Sequence, residues 1–413
     1  MRQLAFHTLA LMWGLTIAVV ALSVHPAQAA GEITYVDDDA ACPGLGTIDR
    51  PYCTIQGGVD NASAGDTVQV APGVYYESIN MKGGVVIQGA GAGDDPSLHS
   101  IIDGEGKGVV VFAFRVDSAA KLDGFTITHG FSLQGGGMAN VDSSHTVSNC
   151  IFSGNVSDGP GGGMYNSASS PTVTHCTFFG NSATRKGGGM YNIYSSPTVT
   201  HCSFSGNSVT NAGAKGGGMF NEHSSPSVTN CTFSGNVSDG PGGGIYSVGS
   251  ASPKVIHCTF SANSASDGGG MFNDSLSSPT VTNCIMWGDT PQEIYSIDSS
   301  AAVTYSDVQA ADPLETYPGE GNINADPLFV DPDGLDNIAG NEDDDYHLQI
   351  GSPCIDKGTS NGAPEKDIEG NLRPQGRGHD LGAYEFPSGR PAAMPWILLL
   401  LLEDQPVDSG EVR

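Results

Sequence analysis

From residue 135 to 289 the chain is a succession of short runs in which apolar and polar residues alternate. The runs are cut every few positions by Gly, Ser, Pro or Asn. Such alternation is the period of a β-strand and the interruptions are turn formers, so the pattern predicts strands and tight turns, with no helical apolar period among the repeats. The runs recur as one phrase: three glycines, a Met or Ile, in most copies a Ser-Pro corner, a Val, then Cys-x-Phe or Cys-x-Met. Its cysteines are Cys150, Cys176, Cys202, Cys231, Cys258 and Cys284, spaced 26, 26, 29, 27 and 26 residues apart. A fixed period of this length marks a solenoid of stacked repeats.

Strand parity assigns faces. Cys202 and Phe204 are two apart and share a side, whereas Val199 has the opposite parity, so a bend between them is needed if all three are buried. Asn149, His175, His201, Asn230, His257 and Asn283 occupy that bend, and Asn tolerates the left-handed backbone that a sharp corner requires. Three short strands per turn of about 26 residues, each turn stacked in parallel on the last at about 4.8 Å, make a right-handed parallel β-helix of the all-β class. Columns then become ladders: Cys, Phe, Val and Met inside, and Asn155, Asn181, Asn207, Asn236 and Asn263 stacked at one turn with Asp289 closing the row. The longer spacing before Gly216 predicts that residues 211–215 bulge outward.

The remainder of the chain frames this coil. Residues 1–30 read as an export signal, with Arg2, an apolar stretch from Leu9 to Val24 and Ala27-Gln28-Ala29 as a cleavage site. Residues 31–65 are expected to form an N-terminal cap, 66–310 the β-helix, 311–386 a C-terminal cap and 387–413 a tail. No later segment is long and apolar enough to cross a bilayer as a helix. The net charge of −29 disfavours nucleic acid and anionic membranes and favours solubility and divalent cations. The expected location is outside the cell or on a bacterial surface.

Several phrases carry a family resemblance. Phe178 to Asn181 and Gly187 to Met190 resemble exported right-handed β-helix proteins of the pectin-lyase-like group, and also the repeats of bacterial polymorphic outer-membrane proteins. Tyr35 to Asp39, Pro51 to Gln56, Gly65 to Val68 and Ala71 to Tyr75 look like the start of such a coil. Asp326 to Phe329, Tyr346 to Leu348, Gly351 to Asp356 and Asp380 to Glu385 resemble a choice-of-anchor C-terminal module of bacterial surface proteins. The resemblance implies the fold. It leaves activity open, because lyases, hydrolases and adhesins share the coil.

A lyase of that group would need an acidic Ca²⁺ site beside a basic residue in one groove. Across the regular repeats the cations are Arg185, Lys186, Lys215 and Lys254, and Asp142, Asp158, Asp239 and Asp267 fall singly on turns, so no catalytic residue is assigned. His175 and His201 are assigned to corners. Asp331, Asp333, Asp336 and Asn337, followed by Asp343, Asp344 and Asp345, offer hard oxygens around a Gly turn, which suits Ca²⁺; no cofactor is required. Cys42 and Cys53 flank a loop in the N-terminal cap of an exported chain, where a disulfide would staple it. The cysteine ladder is expected to be reduced and inert, because stacked strands point their Cβ atoms in parallel. Tyr165, Tyr191, Phe220, Tyr246 and Phe272 follow the inward Met or Ile, so parity points them outward as a stripe for stacking on sugar rings or a partner protein. The expected function is a surface scaffold that binds polysaccharide or a surface protein without catalysis; the alternative is a Ca²⁺-dependent polysaccharide lyase or glycosidase.

Overall fold

The computed structural model describes residues 31–387 with the exception of Glu342. The expected export signal and the tail after residue 387 lie outside the described residues. The rest is a parallel β-solenoid in which every repeat adds one strand to each of three long sheets. A Met sheet has nine strands, a Val sheet eleven and a Phe sheet ten, and a fourth, short sheet of five strands lies between the Phe and Met sheets. In the repeat read above, these strands are Thr198–Thr200 (Val sheet), Ser203–Ser205 (Phe sheet), Ser208–Val209 (short sheet) and then Met219–Glu222 (Met sheet). Register is strict: Phe204 pairs with Phe178 and Phe233, and Met190 with Met164 and Met219.

The bend between the Val and Phe strands is made as parity requires. Asn149, His175, His201, Asn230, His257 and Asn283 all have φ between 48° and 57°, in the left-handed region that turns the chain in one residue. His175 and His201 stack at 4.7 Å as part of that column. Inside, Phe152, Phe178, Phe204, Phe233 and Phe260 form a continuous stack with centroids 4.7 to 4.8 Å apart. The triple glycines permit the equally tight turn into the Met strand, since a Cβ on Gly217 would lie 2.7 Å from the Gly243 carbonyl.

The asparagine row is a buried, polar-directed chain. Asn207 Nδ2 donates to Asn236 Oδ1 on the next turn (2.9 Å) and to the Phe178 carbonyl on the previous one (2.8 Å). Its Oδ1 accepts from the Asn181 amide (3.1 Å) and from Asn181 Nδ2 (2.9 Å). The direction explains why Asp289 fits only at the end: its Oδ1 accepts from the Asn263 amide (2.7 Å) and Nδ2 (2.8 Å), and no later rung asks it to donate. Its Oδ2 is buried without a partner, as is Oε2 of the adjacent Glu293. Burial pushes Asp289 up to about 6, and burial with the Asp289 charge pushes Glu293 well above the carboxylate range. The folded state therefore holds protons here that the unfolded chain has released. Stability from this pair is present below about pH 4 and is lost as pH rises through about 6 and beyond, as first one carboxyl and then the other must ionise in the folded state. Asp289→Asn is expected to flatten that pH dependence and to stabilise the protein at pH 8, read by urea unfolding at pH 5 and pH 8; an unchanged slope would reject the assignment.

A second amide ladder, unexpected from the sequence, runs inside the Met sheet. Asn140 Nδ2 donates to Asn166 (2.8 Å), Asn166 to Asn192 (2.8 Å) and Asn192 to Asn221 (2.9 Å). It stops at Ser247, whose register partners are Asn221 and Asn273. Asn221 Nδ2, Ser247 Oγ and Asn273 Oδ1 are all buried and unpartnered. Ser247→Asn should restore the missing rungs and add about 1–2 kcal/mol of stability, measurable by denaturant unfolding.

The ends are closed differently from each other. Ile33–Val36 heads the Val sheet, and the one helix among the described residues, Ile55–Asn61, buries Ile55 and Val59 against the first turn. Thr54 caps this helix through the Gly57 amide (3.2 Å). Cys42 and Cys53 are bridged beside it, with Cα atoms 5.5 Å apart. At the other end Ile323 bridges to Asp307 and Tyr317 packs on the core. The following segment does not cap the end; it folds back along the outer face of the Phe sheet. Ala383 donates to Thr259 Oγ1, Asn230 Nδ2 to the Lys366 carbonyl and Asn283 Nδ2 to the Thr359 carbonyl. Phe329, Tyr346, Leu348, Cys354 and Leu381 of this segment form a small core with Ile285 of the Phe sheet.

Candidate functional site

The Met strands place functional side chains by parity. In Met219–Glu222, Met219 and Asn221 face inward, so Phe220 and Glu222 face outward; in Met271–Asp274 the same logic turns Phe272 and Asp274 outward. The aromatic column is outward as expected, but it is not exposed. Tyr165, Tyr191, Phe220, Tyr246 and Phe272 retain 8, 4, 1, 0 and 4% of their accessible surface and form a second apolar cluster outside the coil. The open stripe expected from the sequence is corrected here: the rings pack on one another, and lysine side chains lie over Tyr191, Phe220 and Tyr246.

Lys186 and Lys215 each precede a triple glycine and pair with one another across neighbouring turns. Their stems run over the aromatic ladder. Lys186 Nζ lies 4.9 Å from the Phe220 ring centre, and Lys215 Nζ lies 4.8 Å from that of Tyr246, a cation–π geometry. The bulge at residues 211–215 forms the facing wall. Between them opens a cleft of about 460 Å³, bordered also by Arg185, Glu222, Tyr246 and Asp274.

Two hydrogen-bonded chains cross its floor. In one, Lys186 Nζ and the Tyr191 hydroxyl donate to the same oxygen of Glu222, at 2.7 and 2.6 Å. In the other, Lys215 Nζ donates to the Tyr246 hydroxyl (2.8 Å), which donates to Asp274 Oδ2 (2.9 Å). Burial works against the Glu222 charge, but the Lys186 ammonium and the Tyr191 hydroxyl outweigh it and hold the carboxyl below its usual range. Burial, reinforced by Asp274, pushes the Tyr246 phenol above its usual range; burial and Glu222 do the same for Tyr191. The cleft thus presents the Lys186 and Lys215 amino groups and the ionised Glu222 carboxylate above neutral phenols whose hydrogens are spent on Glu222 and Asp274, with Arg185 exposed at its edge.

The expectation that no carboxylates gather near these cations is therefore overturned. Glu222 and Asp274 occupy the register position held by Ile193 on the strand before Glu222 and by Val248 on the strand between them. That position, two residues after the outward aromatic, was the available signal.

The other expected residues lie elsewhere. Asp331, Asp333, Asp336, Asn337, Asp343, Asp344 and Asp345 share one region, and three of these acids accept from backbone amides: Asp343 from Leu335 and Asp336, Asp336 from Ile338 and Asp344 from Gly340. Among the described residues the acids that converge within 4.8 Å are instead Asp37, Asp38 and Asp39. The six ladder cysteines and Cys354 are free and buried. Burial pushes the Cys202 thiol well up, and it donates to the Thr200 carbonyl at 3.2 Å.

Comparison with known proteins agrees with the architecture. Residues 183–308 match the family model described as a right handed beta helix region. No curated protein matches the chain. Among solved structures, pectate lyase Pel9A is similar at 14% identity and a TM-score of 0.49, over 86% of this chain and 97% of that one. A rhamnogalacturonan lyase is similar at 12% identity and 0.40, over 78% and 97%. The tailspike protein gp49 from Acinetobacter baumannii bacteriophage Fri1, a capsular polysaccharide depolymerase, is similar at 13% identity and 0.37, over 59% and 52%. The family match, together with the parallel sheets described above, makes the chain a right-handed parallel β-helix. Among the described residues no helix is long and apolar enough to cross a membrane.

Proposed function

We infer that this protein is an extracellular or surface-located β-helix that binds an acidic polysaccharide in the cleft over its Met sheet, as a scaffold and without turning it over. The observation that carries this reading is the gathering of Arg185, Lys186 and Lys215 in one cleft of a chain with 45 acidic and only 16 basic residues. An acidic surface with one basic cleft steers an anionic chain to that cleft. The ammonium groups supply charge-assisted hydrogen bonds to uronate or similar carboxylates, and the Glu222 carboxylate suits sugar hydroxyls. The lyases and the depolymerase among the similar folds act, by their names, on polysaccharides, which agrees with this ligand class.

One observation favours a second reading, a polysaccharide lyase or glycosidase. The Lys215–Tyr246–Asp274 chain joins a cation, a phenol and a carboxylate in series, an arrangement able to move a proton at the Tyr246 oxygen. The test is a screen of acidic and neutral glycans against the mature protein, with and without Ca²⁺, following both retention and new unsaturated or reducing ends. Retention of acidic chains without product supports the scaffold. Product formation replaces it with the second reading, and retention of no acidic glycan rejects both.

A further inference from the structure

A second hollow lies nearer the N-terminal end of the coil, where the short sheet begins with Phe131–Ser132. Register places Phe131 in the row of Val156 and Ser182, and Ser132 in the buried row of Ser157 and Ala183, so the Phe131 ring faces outward. This strand is the edge of its sheet. On the turn before, a loop through Gly104, Gly106 and Gly108 runs beside it, and the Phe131 amide donates to the Gly108 carbonyl (2.9 Å). A Cβ on Gly106 or Gly108 would meet nothing within 4 Å. The ring therefore stays 45% exposed.

The corner ahead of this sheet is left-handed, and on later turns it is bare: Gly154, Gly180, Gly206 and Gly235 have φ of 56–61°. Here it carries His129, with φ of 52°, next to Thr128, which pairs with Asp103 and Ser153 on the adjacent turns. Asp103 Oδ2 accepts from His129 Nδ1 at 3.0 Å. A carboxylate can only accept, so Nδ1 carries the hydrogen and Nε2 of the neutral ring is left as an acceptor. The His129 side chain is 65% exposed and that of Glu105 41%, so both are open to a ligand. Phe131, His129, Asp103, Glu105 and Val156 border an open-sided hollow of about 510 Å³, a usual size for a small-ligand site.

An occupant meets one exposed aromatic face flanked by acceptors. The carboxylates repel an anion. A hard cation finds few free oxygens, since Asp103 accepts from His129 and from the Glu105 amide (2.8 Å), and Glu105 holds Lys107 at 2.7 Å. A pyranose fits, because its C–H face is apolar and its rim carries hydroxyl donors. We propose that this hollow is a saccharide subsite for one neutral pyranose ring, stacked on Phe131, with hydroxyls donating to His129 Nε2 and to the Glu105 carboxylate. The subsite shares no residue with the basic cleft, and its existence does not depend on what the cleft binds.

The experiment is saturation-transfer NMR with calorimetry on the full chain. Glucose, galactose and mannose are compared with their methyl glycosides, which tell a glycan unit from a free sugar, and with glucuronate. Saturable millimolar binding of at least one neutral sugar is expected, with glucuronate weaker. Phe131→Leu keeps an apolar side chain but removes the ring face; His129→Asn keeps a residue that tolerates the corner but removes Nε2. Each should weaken binding about tenfold at an unchanged melting temperature, whereas Phe131→Tyr and Lys186→Ala/Lys215→Ala leave it intact. If one of the two weakening variants does not fold, the other decides. Absence of saturable binding by every neutral sugar overturns the proposal, as does unchanged binding in either variant. Tighter binding of glucuronate also overturns it, and so does loss in the lysine variant, which would move the site to the cleft.

Discussion

Asn207→Ala is expected to lower the unfolding free energy by about 4 kcal/mol. The substitution deletes four hydrogen bonds at a side chain with no accessible surface. It strands the Phe178 carbonyl and the Asn181 amide, leaves Asn181 Nδ2 only the Phe152 carbonyl and Asn236 Oδ1 only the Asn207 amide, at about 1 kcal/mol for each bond lost. Asn207→Asp should be no better at neutral pH. It restores the acceptor toward Asn181 but faces a carboxylate oxygen toward the Phe178 carbonyl and Asn236 Oδ1, where the native side chain donates. Because a solenoid couples each turn to its neighbours, loss in the middle is expected to split the unfolding transition as well as shift it. Equilibrium urea unfolding of the two variants is the check. A change in either below about 1 kcal/mol would mean that the amide row adds little to stability.

The second large effect is on binding. Lys186→Ala/Lys215→Ala is expected to reduce affinity for an acidic polysaccharide about a hundredfold, since two charge-assisted hydrogen bonds of about 1.5 kcal/mol are removed. Glu222 is then left ionised without its Lys186 partner and repels the ligand further. The wild-type affinity should fall steeply with added salt and that of the variant, which keeps only Arg185 in the cleft, less steeply, because the exposed attraction is screened over about 10 Å at 0.1 M. Affinity measured by calorimetry at two salt concentrations decides it. Undiminished, salt-sensitive binding in the variant would place the ligand on some other part of the surface. The core beneath should be unaffected, since both lysines lie over the aromatic column outside the coil.

The coil was legible because its information is local and repeated. One parity rule, applied to Cys202 and Phe204, predicted the Phe and Cys columns. The need to bury Val199 as well predicted a left-handed corner at His201, and the chain turns there with φ of 54°. The asparagine row and its acidic terminus followed from spacing alone. The second ladder, through Asn140, Asn166, Asn192 and Asn221, was equally periodic, but its columns sit beside the more conspicuous Met and aromatic positions. The helix Ile55–Asn61 was hidden by its two glycines, which are poor helix formers.

The sequence by itself determined the period, the inward and outward sense of each strand residue, and the ladders, because identical residues at a fixed period must stack once the turns are parallel. Only the tertiary structure decided which outward faces are open. Parity sends Tyr191 and Tyr246 outward, but whether they meet solvent depends on what the neighbouring turn lays over them. Lys186 reaches Glu222 across 36 residues and Lys215 reaches Tyr246 across 31, converting an expected open stripe into a basic cleft over a dry floor. The Phe sheet is covered by a segment bonded to it across 136 and 124 residues. Contacts of that range depend on loop length and on where the chain folds back, and no local period encodes either.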